Sequence, residues 1–227
     1  MPSQPSPPSS PGIQAVSFDL DGTLYATGPH RLRLLPRLLP QLGLIRAWSR
    51  TVNALRGCQH PDLPQRIIEQ TAQGLGVAPA EAEARLWFFL ERTWILSLTP
   101  AHVLPGVVDA LTLLDARGIP RAVASDHPVE GKLTQLGLAA GWRAGLCAES
   151  LGSLKPHPKV LLAAAQALGC PPGCLLHIGD RHDTDGEAAR AAGARYLHAL
   201  DEHGSTASLP SRLAALLDAP PSKEASP

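Results

Sequence analysis

Short apolar segments alternate with helix-patterned segments along most of this chain, and this order restricts the folds that it can adopt. Strands are predicted for five segments: 15–18, 120–125, 144–148, 175–178 and 195–198. Between the later strands, helices are predicted at 106–117, up to 136, from Pro158, and at 185–192. Linkers this short favour a parallel sheet with right-handed crossovers and helices on both faces. The sequence therefore predicts an α/β fold with a Rossmann-like, three-layer core.

The segment between the first two predicted strands has a different pattern, and we refer to residues 28–99 as the insert. It is rich in Leu, Ala, Arg and Glu at helical spacing, with breaks at Gly43, 57–64 and 74–79, which predicts about four helices. The chain is thus expected to divide into a disordered tail, a two-part α/β core, the helical insert, and a C-terminal helix with a second disordered tail: 1–11, 12–27 with 100–205, 28–99, and 206–227.

Charge and composition give no reason to expect a polyanionic partner. The 227 residues carry 20 Lys+Arg and 20 Asp+Glu, so no overall field attracts the chain to nucleic acid or to anionic lipid. The four cysteines are sparse and are expected to be reduced. No apolar run is long enough to span a bilayer, and the first residues lack the features of a secretory signal. We expect a soluble, cytoplasmic monomer or small homo-oligomer with no nucleic-acid or membrane partner.

Three of the predicted strands end at polar residues, Asp19, Ser125 and Asp180. The carboxyl ends of parallel strands meet at one edge of a sheet, and ligands bind there in folds of this kind. These three side chains are therefore expected to converge on a functional site.

The turn after the first strand carries two acids at a spacing of two, Asp19 and Asp21, followed by Gly22. Glycine lets the backbone turn closely around a ligand. A calcium-binding loop that starts at Asp19 is excluded, because Leu24 and His30 stand where such a loop needs glycine and a bidentate glutamate.

Four segments resemble the motifs of the haloacid dehalogenase superfamily, in that family's order. They are FDLDGTLY, AVASD, LKPHP and HIGDRHDTDGEAARAAG, at 18–25, 122–126, 154–158 and 177–193. The insert lies between the first and second motifs. In this family that position marks a type-one cap, as in phosphoglycolate phosphatase-like members.

The resemblance implies a role for each residue that matches a motif. Asp19 would be the nucleophile that forms an aspartyl-phosphate, and Asp21 would be the acid/base for both half-reactions. Ser125, Asp126 and Lys155 would bind the phosphoryl group. The family often has asparagine where this chain has Asp126, and its charge would repel phosphate unless it faces away or pairs with a cation.

The same resemblance implies a Mg²⁺ site. Asp180 would bind the ion together with Asp19 and the backbone carbonyl of Asp21, and oxygen ligands are those that Mg²⁺ prefers. Asp185 would support this site without binding the ion, or cap the helix that follows.

The predicted function is Mg²⁺-dependent hydrolysis of a small phosphorylated metabolite. A phosphomutase on the same core and a catalytically silent binding protein are the alternatives. In the insert, nine arginines, no lysine and five acids leave a local positive charge, which is expected to attract an anionic substrate. Its aromatic residues are expected to form the helical core: Trp87, Phe88, Phe89 and Trp94.

Overall fold

The centre of the computed structural model, which describes residues 12–219, is a five-stranded sheet. The strands are β1 (Ala15–Phe18), β2 (Arg121–Ser125), β3 (Ala144–Cys147), β4 (Leu175–Gly179) and β5 (Arg195–His198). Every neighbouring pair is parallel, in the order β3-β2-β1-β4-β5. The predicted α/β fold class is confirmed, and all five predicted strands are present. The tails predicted at 1–11 and beyond 219 lie outside the described residues.

Nine α-helices occur within residues 12–219. They are α1 (Thr27–Leu38), α2 (Leu42–Leu55), α3 (Leu63–Leu75), α4 (Pro79–Trp87), α5 (Val107–Ala116), α6 (Glu130–Gln135), α7 (Lys159–Leu168), α8 (Glu187–Ala192) and α9 (Leu209–Asp218). In this part of the chain, no helix has the length and apolar character needed to cross a membrane.

The two faces of the sheet are covered by two separate apolar clusters. Val16 and Phe18 of β1 pack with α5, α6 and α9, whereas Ala15 packs with α7 and α8. Successive side chains of a strand point to opposite faces, so a strand buried on both sides needs apolar residues at most positions. This explains why β1, β2 and β4, which are buried along their whole length, consist mainly of apolar residues.

The strand order determines where the functional residues meet. β1 is the central strand and pairs with β2 on one side and β4 on the other. Asp19 follows β1, Ser125 ends β2 and Asp180 follows β4. The predicted convergence at one edge is therefore built into the topology.

The insert contains α1 to α4, in agreement with the predicted number of helices, but two details differ. Gly43 lies in the first turn of α2, and the break falls earlier, in a 3₁₀ turn at Leu39–Gln41 that contains a proline. Trp87 and Phe88 are 57% and 54% exposed, so the expectation that they belong to the helical core is wrong. Beyond α4 the chain forms a π-helical turn, Phe88–Trp94. Buried residues recur at spacings of three and four, at Leu86, Phe89 and Thr93, so Phe89 faces inward and the two exposed rings face outward.

The insert also rests on the loop that precedes α7. Leu154 of this loop is fully buried among insert residues that include Leu55 and Leu63. The His60 amide of the insert donates to the Gly152 carbonyl at 2.7 Å. Gly152 has φ of +80°, and a Cβ there would lie 2.5 Å from the His60 oxygen, so the close approach requires glycine.

We expect Leu154→Ala to lower the free energy of unfolding by about 2 to 5 kcal/mol, because truncating a buried leucine leaves a cavity. The matched control is Leu161→Ala, which truncates an equally buried leucine in the core of the sheet. Only the first variant should speed hydrogen exchange at the His60 amide relative to the amides of β1. Equal acceleration in the two variants would contradict a docking role for Leu154.

Candidate active site

Lys155, in the loop between β3 and α7, lies at the centre of the candidate active site. Its buried ammonium donates hydrogen bonds to Asp19 Oδ1 at 2.6 Å, Asp185 Oδ1 at 2.5 Å and the Ala124 carbonyl at 3.2 Å. The other oxygen of Asp19 accepts a hydrogen bond from the Thr23 hydroxyl at 3.2 Å. The lysine thus links the end of β1 to β2 and to the turn that follows β4.

Three acids surround this ammonium. Asp19, Asp180 and Asp185 each offer one carboxylate oxygen, and the three oxygens lie within 4.8 Å of one another. One ammonium among three carboxylates leaves two negative charges, the number that a divalent cation neutralises. Oxygen ligands of this kind suit Mg²⁺. The donor set therefore fits the predicted ion.

The protonation of these acids reflects the excess of negative charge. Burial and the neighbouring carboxylates raise the pKa of Asp19 to about 8, although the Lys155 ammonium opposes the shift. Burial and the charge of Asp185 also raise the pKa of Asp180. Burial alone would also raise the pKa of Asp185, but Lys155 and His177 outweigh burial and hold this pKa below its usual range. A bound divalent cation would favour the ionised form of all three.

Two glycines allow the acids to come this close. Gly22, in the turn after β1, has φ of +99°, and a Cβ there would lie 2.3 Å from Asp180 Oδ2. At Gly179, the last residue of β4, a Cβ would lie 2.4 Å from Asp185 Cγ. No other residue type would leave the carboxylates in these positions.

The bonding of Asp185 supports the role predicted for it. Its Oδ1 already accepts from Lys155 and faces His177 Nε2 at 3.3 Å, while its Oδ2 accepts from the Arg181 amide at 3.1 Å. His177 is itself held by Ser17, whose hydroxyl lies 2.9 Å from Nδ1. Asp185 therefore orients Lys155, and its two oxygens accept more bonds than those of Asp19 or Asp180, whose role as metal ligands stays a prediction.

The Asp21 carboxylate is not part of this cluster. It accepts hydrogen bonds from the Tyr25 hydroxyl and from the buried Lys132 ammonium. Although burial favours the neutral acid, Lys132 and Tyr25 together hold the pKa of Asp21 below its usual range. The Tyr25 oxygen in turn accepts from Trp94 Nε1 at 2.9 Å. The Asp21 side chain is thus engaged by Tyr25 and Lys132 outside the acid cluster, and a metal-ligand role for its backbone carbonyl stays a prediction.

Asp126 is paired with a cation from the insert. Arg56 Nη1 lies 2.5 Å from Asp126 Oδ2 and also donates to the Lys155 carbonyl at 2.9 Å. Asp126 Oδ1 accepts from the Lys155 amide at 3.0 Å. Ser125 lies at the end of β2, where its hydroxyl oxygen accepts from the His127 amide at 3.3 Å. The Asp126 carboxylate is thus engaged by Arg56 and Lys155, and a phosphate-binding role stays a prediction for Ser125 and the adjoining backbone.

The other ion pairs of the insert's arginines lie on its surface. Arg66 pairs with Asp62 and Arg85 pairs with Glu81, each within one exposed helical turn. Exposed pairs of this kind contribute little to stability. Arg56 is therefore the arginine of the insert whose position bears most directly on the site.

Sequence reasoning did not identify four residues that contact the predicted site residues or support them: Arg56, Lys132, Tyr25 and Trp94. Tyr25 does lie within the first motif segment, and its position was a usable signal. Arg56 was one of nine arginines in the insert, and Lys132 lies on a helix with no motif of its own. Only the three-dimensional structure distinguishes them from surface cations.

The fold and the site together define an α/β enzyme core with an acid cluster at the carboxyl edge of its sheet. A family model described as haloacid dehalogenase-like hydrolase matches residues 13–193. The chain belongs to this family.

The relatives of this chain include phosphatases that are named for different substrates. The chain is 31% identical over 183 residues to phosphoglycolate phosphatase 1 of Pseudomonas aeruginosa, a match that covers 79% of the chain and 66% of that protein, slightly less than two thirds. It is 28% identical to N-acetylmuramic acid 6-phosphate phosphatase of Pseudomonas putida, over 83% of the chain and 86% of that protein. A solved structure of β-phosphoglucomutase from Clostridium difficile superposes with a TM-score of 0.67 at 19% identity, over 91% of this chain and 97% of that one. The last similarity concerns the fold alone.

We expect Arg56→Gln to destabilise the protein by about 1 to 3 kcal/mol, because it leaves the largely buried Asp126 carboxylate without its cation. The double variant Arg56→Gln/Asp126→Asn should recover most of the loss, since it also removes the unpaired charge. Urea denaturation of the wild type, the two single variants and the double variant measures the coupling. Strictly additive effects would show that the ion pair does not connect the insert to the core.

Proposed function

We propose that this chain is a Mg²⁺-dependent phosphatase that hydrolyses a small phosphorylated metabolite through an aspartyl-phosphate on Asp19. The observation that carries the proposal is the position of Asp19 at the sheet edge, where it accepts a hydrogen bond from the Lys155 ammonium and offers an oxygen within 4.8 Å of one of Asp180. Membership of the hydrolase family and similarity to named phosphatases support it.

In the first half-reaction, an Asp19 oxygen attacks phosphorus and the bond to the leaving oxygen breaks. Lys155 offsets the repulsion between this carboxylate and the anionic phosphoryl group, and Ser125 with its adjoining amides holds the phosphoryl oxygens. Mg²⁺, held by Asp19, Asp180 and the Asp21 carbonyl, would supply the remaining positive charge. Asp21 donates a proton to the leaving oxygen once it is protonated, a form that its ion pair with Lys132 disfavours in the free site.

In the second half-reaction, the ionised Asp21 removes a proton from water, which attacks phosphorus. The bond between phosphorus and Asp19 breaks, so phosphate is released and the nucleophile is regenerated. Asp21 regains its proton and is ready for the next turnover.

We also propose that the insert is a cap over this site. Arg56 reaches Asp126, and the Trp48 ring of α2 lies 5.0 Å from the ring of His127, centroid to centroid. Both contacts fall on the residues directly after Ser125. An element in this position excludes water from the cleft and contacts the part of the substrate beyond the phosphoryl group.

The substrate class that we propose is a phosphomonoester that also carries a carboxylate. The names of two relatives, a phosphoglycolate and an N-acetylmuramic acid 6-phosphate phosphatase, both specify phosphorylated organic acids. The net positive charge of the insert suits a second anionic group.

We expect purified protein with Mg²⁺ to release phosphate from phosphoglycolate or N-acetylmuramic acid 6-phosphate faster than from N-acetylglucosamine 6-phosphate. The last compound is a matched control, because it lacks only the lactyl acid of the muramic derivative. Malachite green detection of phosphate measures kcat/KM for each. Equal values for N-acetylmuramic acid 6-phosphate and for N-acetylglucosamine 6-phosphate, which has no carboxylate, would refute the proposed substrate class. Isomerisation without release of phosphate would favour a mutase, and inactivity toward all phosphomonoesters would favour a silent protein.

We expect Asp19→Asn to abolish turnover, because an amide cannot form the covalent intermediate. Asp180→Asn should weaken Mg²⁺ binding, since it removes a ligand's charge at nearly constant volume. The control is Asp183→Asn, on an exposed acid of the same turn that pairs with Arg181. Thermal denaturation with and without Mg²⁺ tests binding independently of activity. A wild-type Mg²⁺ response in Asp180→Asn, or near wild-type kcat in Asp19→Asn, would contradict these assignments.

A further inference from the structure

The two connections between the insert and the core are bonded to each other beside Asp21. The outgoing connection is residues 25–27, and the returning connection is residues 94–104, which include the last residues of the insert. Tyr25, on the outgoing connection, forms a backbone bridge with Val103 on the returning one. The Ala26 amide donates to the His102 carbonyl at 3.0 Å. The two segments that would have to bend for the insert to move therefore form one unit.

Tyr25 connects this unit to Asp21 through side chains. Its hydroxyl donates to Asp21 and accepts from Trp94 Nε1, which belongs to the returning connection. Asp21 is thus bonded to Tyr25 of the outgoing connection, and Tyr25 is bonded to Trp94 of the returning connection.

Lys132 approaches Asp21 from a third element, the short helix α6. Its side chain is 5% exposed, and within residues 12–219 its ammonium has a single hydrogen-bond partner, the Asp21 carboxylate. A buried ammonium is costly unless it is paired, and this one is paired only with the predicted acid/base. Next to Lys132, Gly131 packs against the returning connection, since a Cβ there would lie 3.2 Å from Ile95 Cγ2.

We propose that Lys132 is a positioning residue for Asp21, and that Tyr25 and Trp94 link this acid to the two connections of the insert. The proposal rests on the proposed function, because it assigns Lys132 to the acid/base of that reaction. Lys132 holds the carboxylate in one orientation, and the Tyr25–Trp94 pair makes that orientation depend on the position of the insert. Proton transfer is then efficient only when the insert and core are in the arrangement seen here.

The first test compares two substrates with the Lys132→Met variant, which keeps most of the length of the side chain and removes its charge. For an alkyl phosphate we expect kcat to fall about 10-fold to 100-fold with little change in KM, within the range that general acid–base catalysis contributes. For p-nitrophenyl phosphate the leaving group needs no proton, so the phosphoryl group should still transfer to Asp19. Water attack should then be slow. We therefore expect a stoichiometric burst of p-nitrophenol followed by slow turnover, with the phosphoenzyme trapped by acid quench.

Two further variants serve as controls. Lys132→Arg keeps the positive charge and should restore part of kcat for the alkyl phosphate. Glu130→Gln alters an exposed residue of the same helix that does not contact Asp21, and it should leave both rates unchanged. A burst absent from Lys132→Met, or a rise in KM at unchanged kcat, would overturn the positioning role.

A stability measurement separates this inference from the proposed function. Lys132→Met and Asp21→Asn should be non-additive in free energy of unfolding, because each removes the partner of the other. Tyr25→Phe and Trp94→Phe should likewise be coupled to each other. Additive effects would overturn the inference even in an active enzyme. Coupling in a wild-type protein that hydrolyses no phosphomonoester would instead refute the proposed function and leave the structural link in place.

Discussion

The hydrogen bonds of the Lys155 ammonium hold together the parts of this site that the chain supplies from distant positions. Asp19 follows the first strand and Asp185 lies 166 positions later, yet both bond to this nitrogen, as does the carbonyl of Ala124. A lysine buried to this degree is stable only because two carboxylates and a carbonyl replace its water. The same bonds keep Asp19 from being a buried, unpaired charge. The packing of the strands and the chemistry of the site therefore depend on one another.

The sequence was sufficient for those features that depend on local order. The apolar runs predicted the five strands, and polar residues at three strand ends predicted the convergence, because both follow from periodicity and from the geometry of parallel sheets. The contacts of Lys132 and Arg56 were not predictable, since they join residues 111 and 70 positions apart. Nothing in the spacing of a cation on a helix indicates which distant acid it will meet. The exposure of Trp87 has a different origin. Ala82, Leu86 and Phe89 are buried at spacings of four and three, so the helix turns Trp87 outward although it neighbours a buried aromatic residue.

The contacts between insert and core explain why this chain tolerates an acid at position 126. A neutral side chain there would need no partner, whereas Asp126 beside a phosphoryl group would oppose its binding. Arg56 supplies the missing charge from the insert and bonds at the same time to the carbonyl of Lys155. Leu154, one residue earlier, is buried under the same insert. The loop that carries the central lysine is thus fixed partly by residues outside the α/β core.

The charges of the whole site show why a divalent cation is expected. Five acids and three cations form it: Asp19, Asp21, Asp126, Asp180 and Asp185, with Arg56, Lys132 and Lys155. Arg56 and Lys132 each neutralise one acid outside the central cluster, so the excess of two negative charges falls on the group around Asp19. An anionic substrate would be repelled from this group and a buried carboxylate there would tend to protonate, as the raised pKa of Asp19 indicates. A divalent cation at Asp19 and Asp180 would remove both obstacles at once, since it would restore the ionised form of the proposed nucleophile and neutralise the edge where phosphate is proposed to bind.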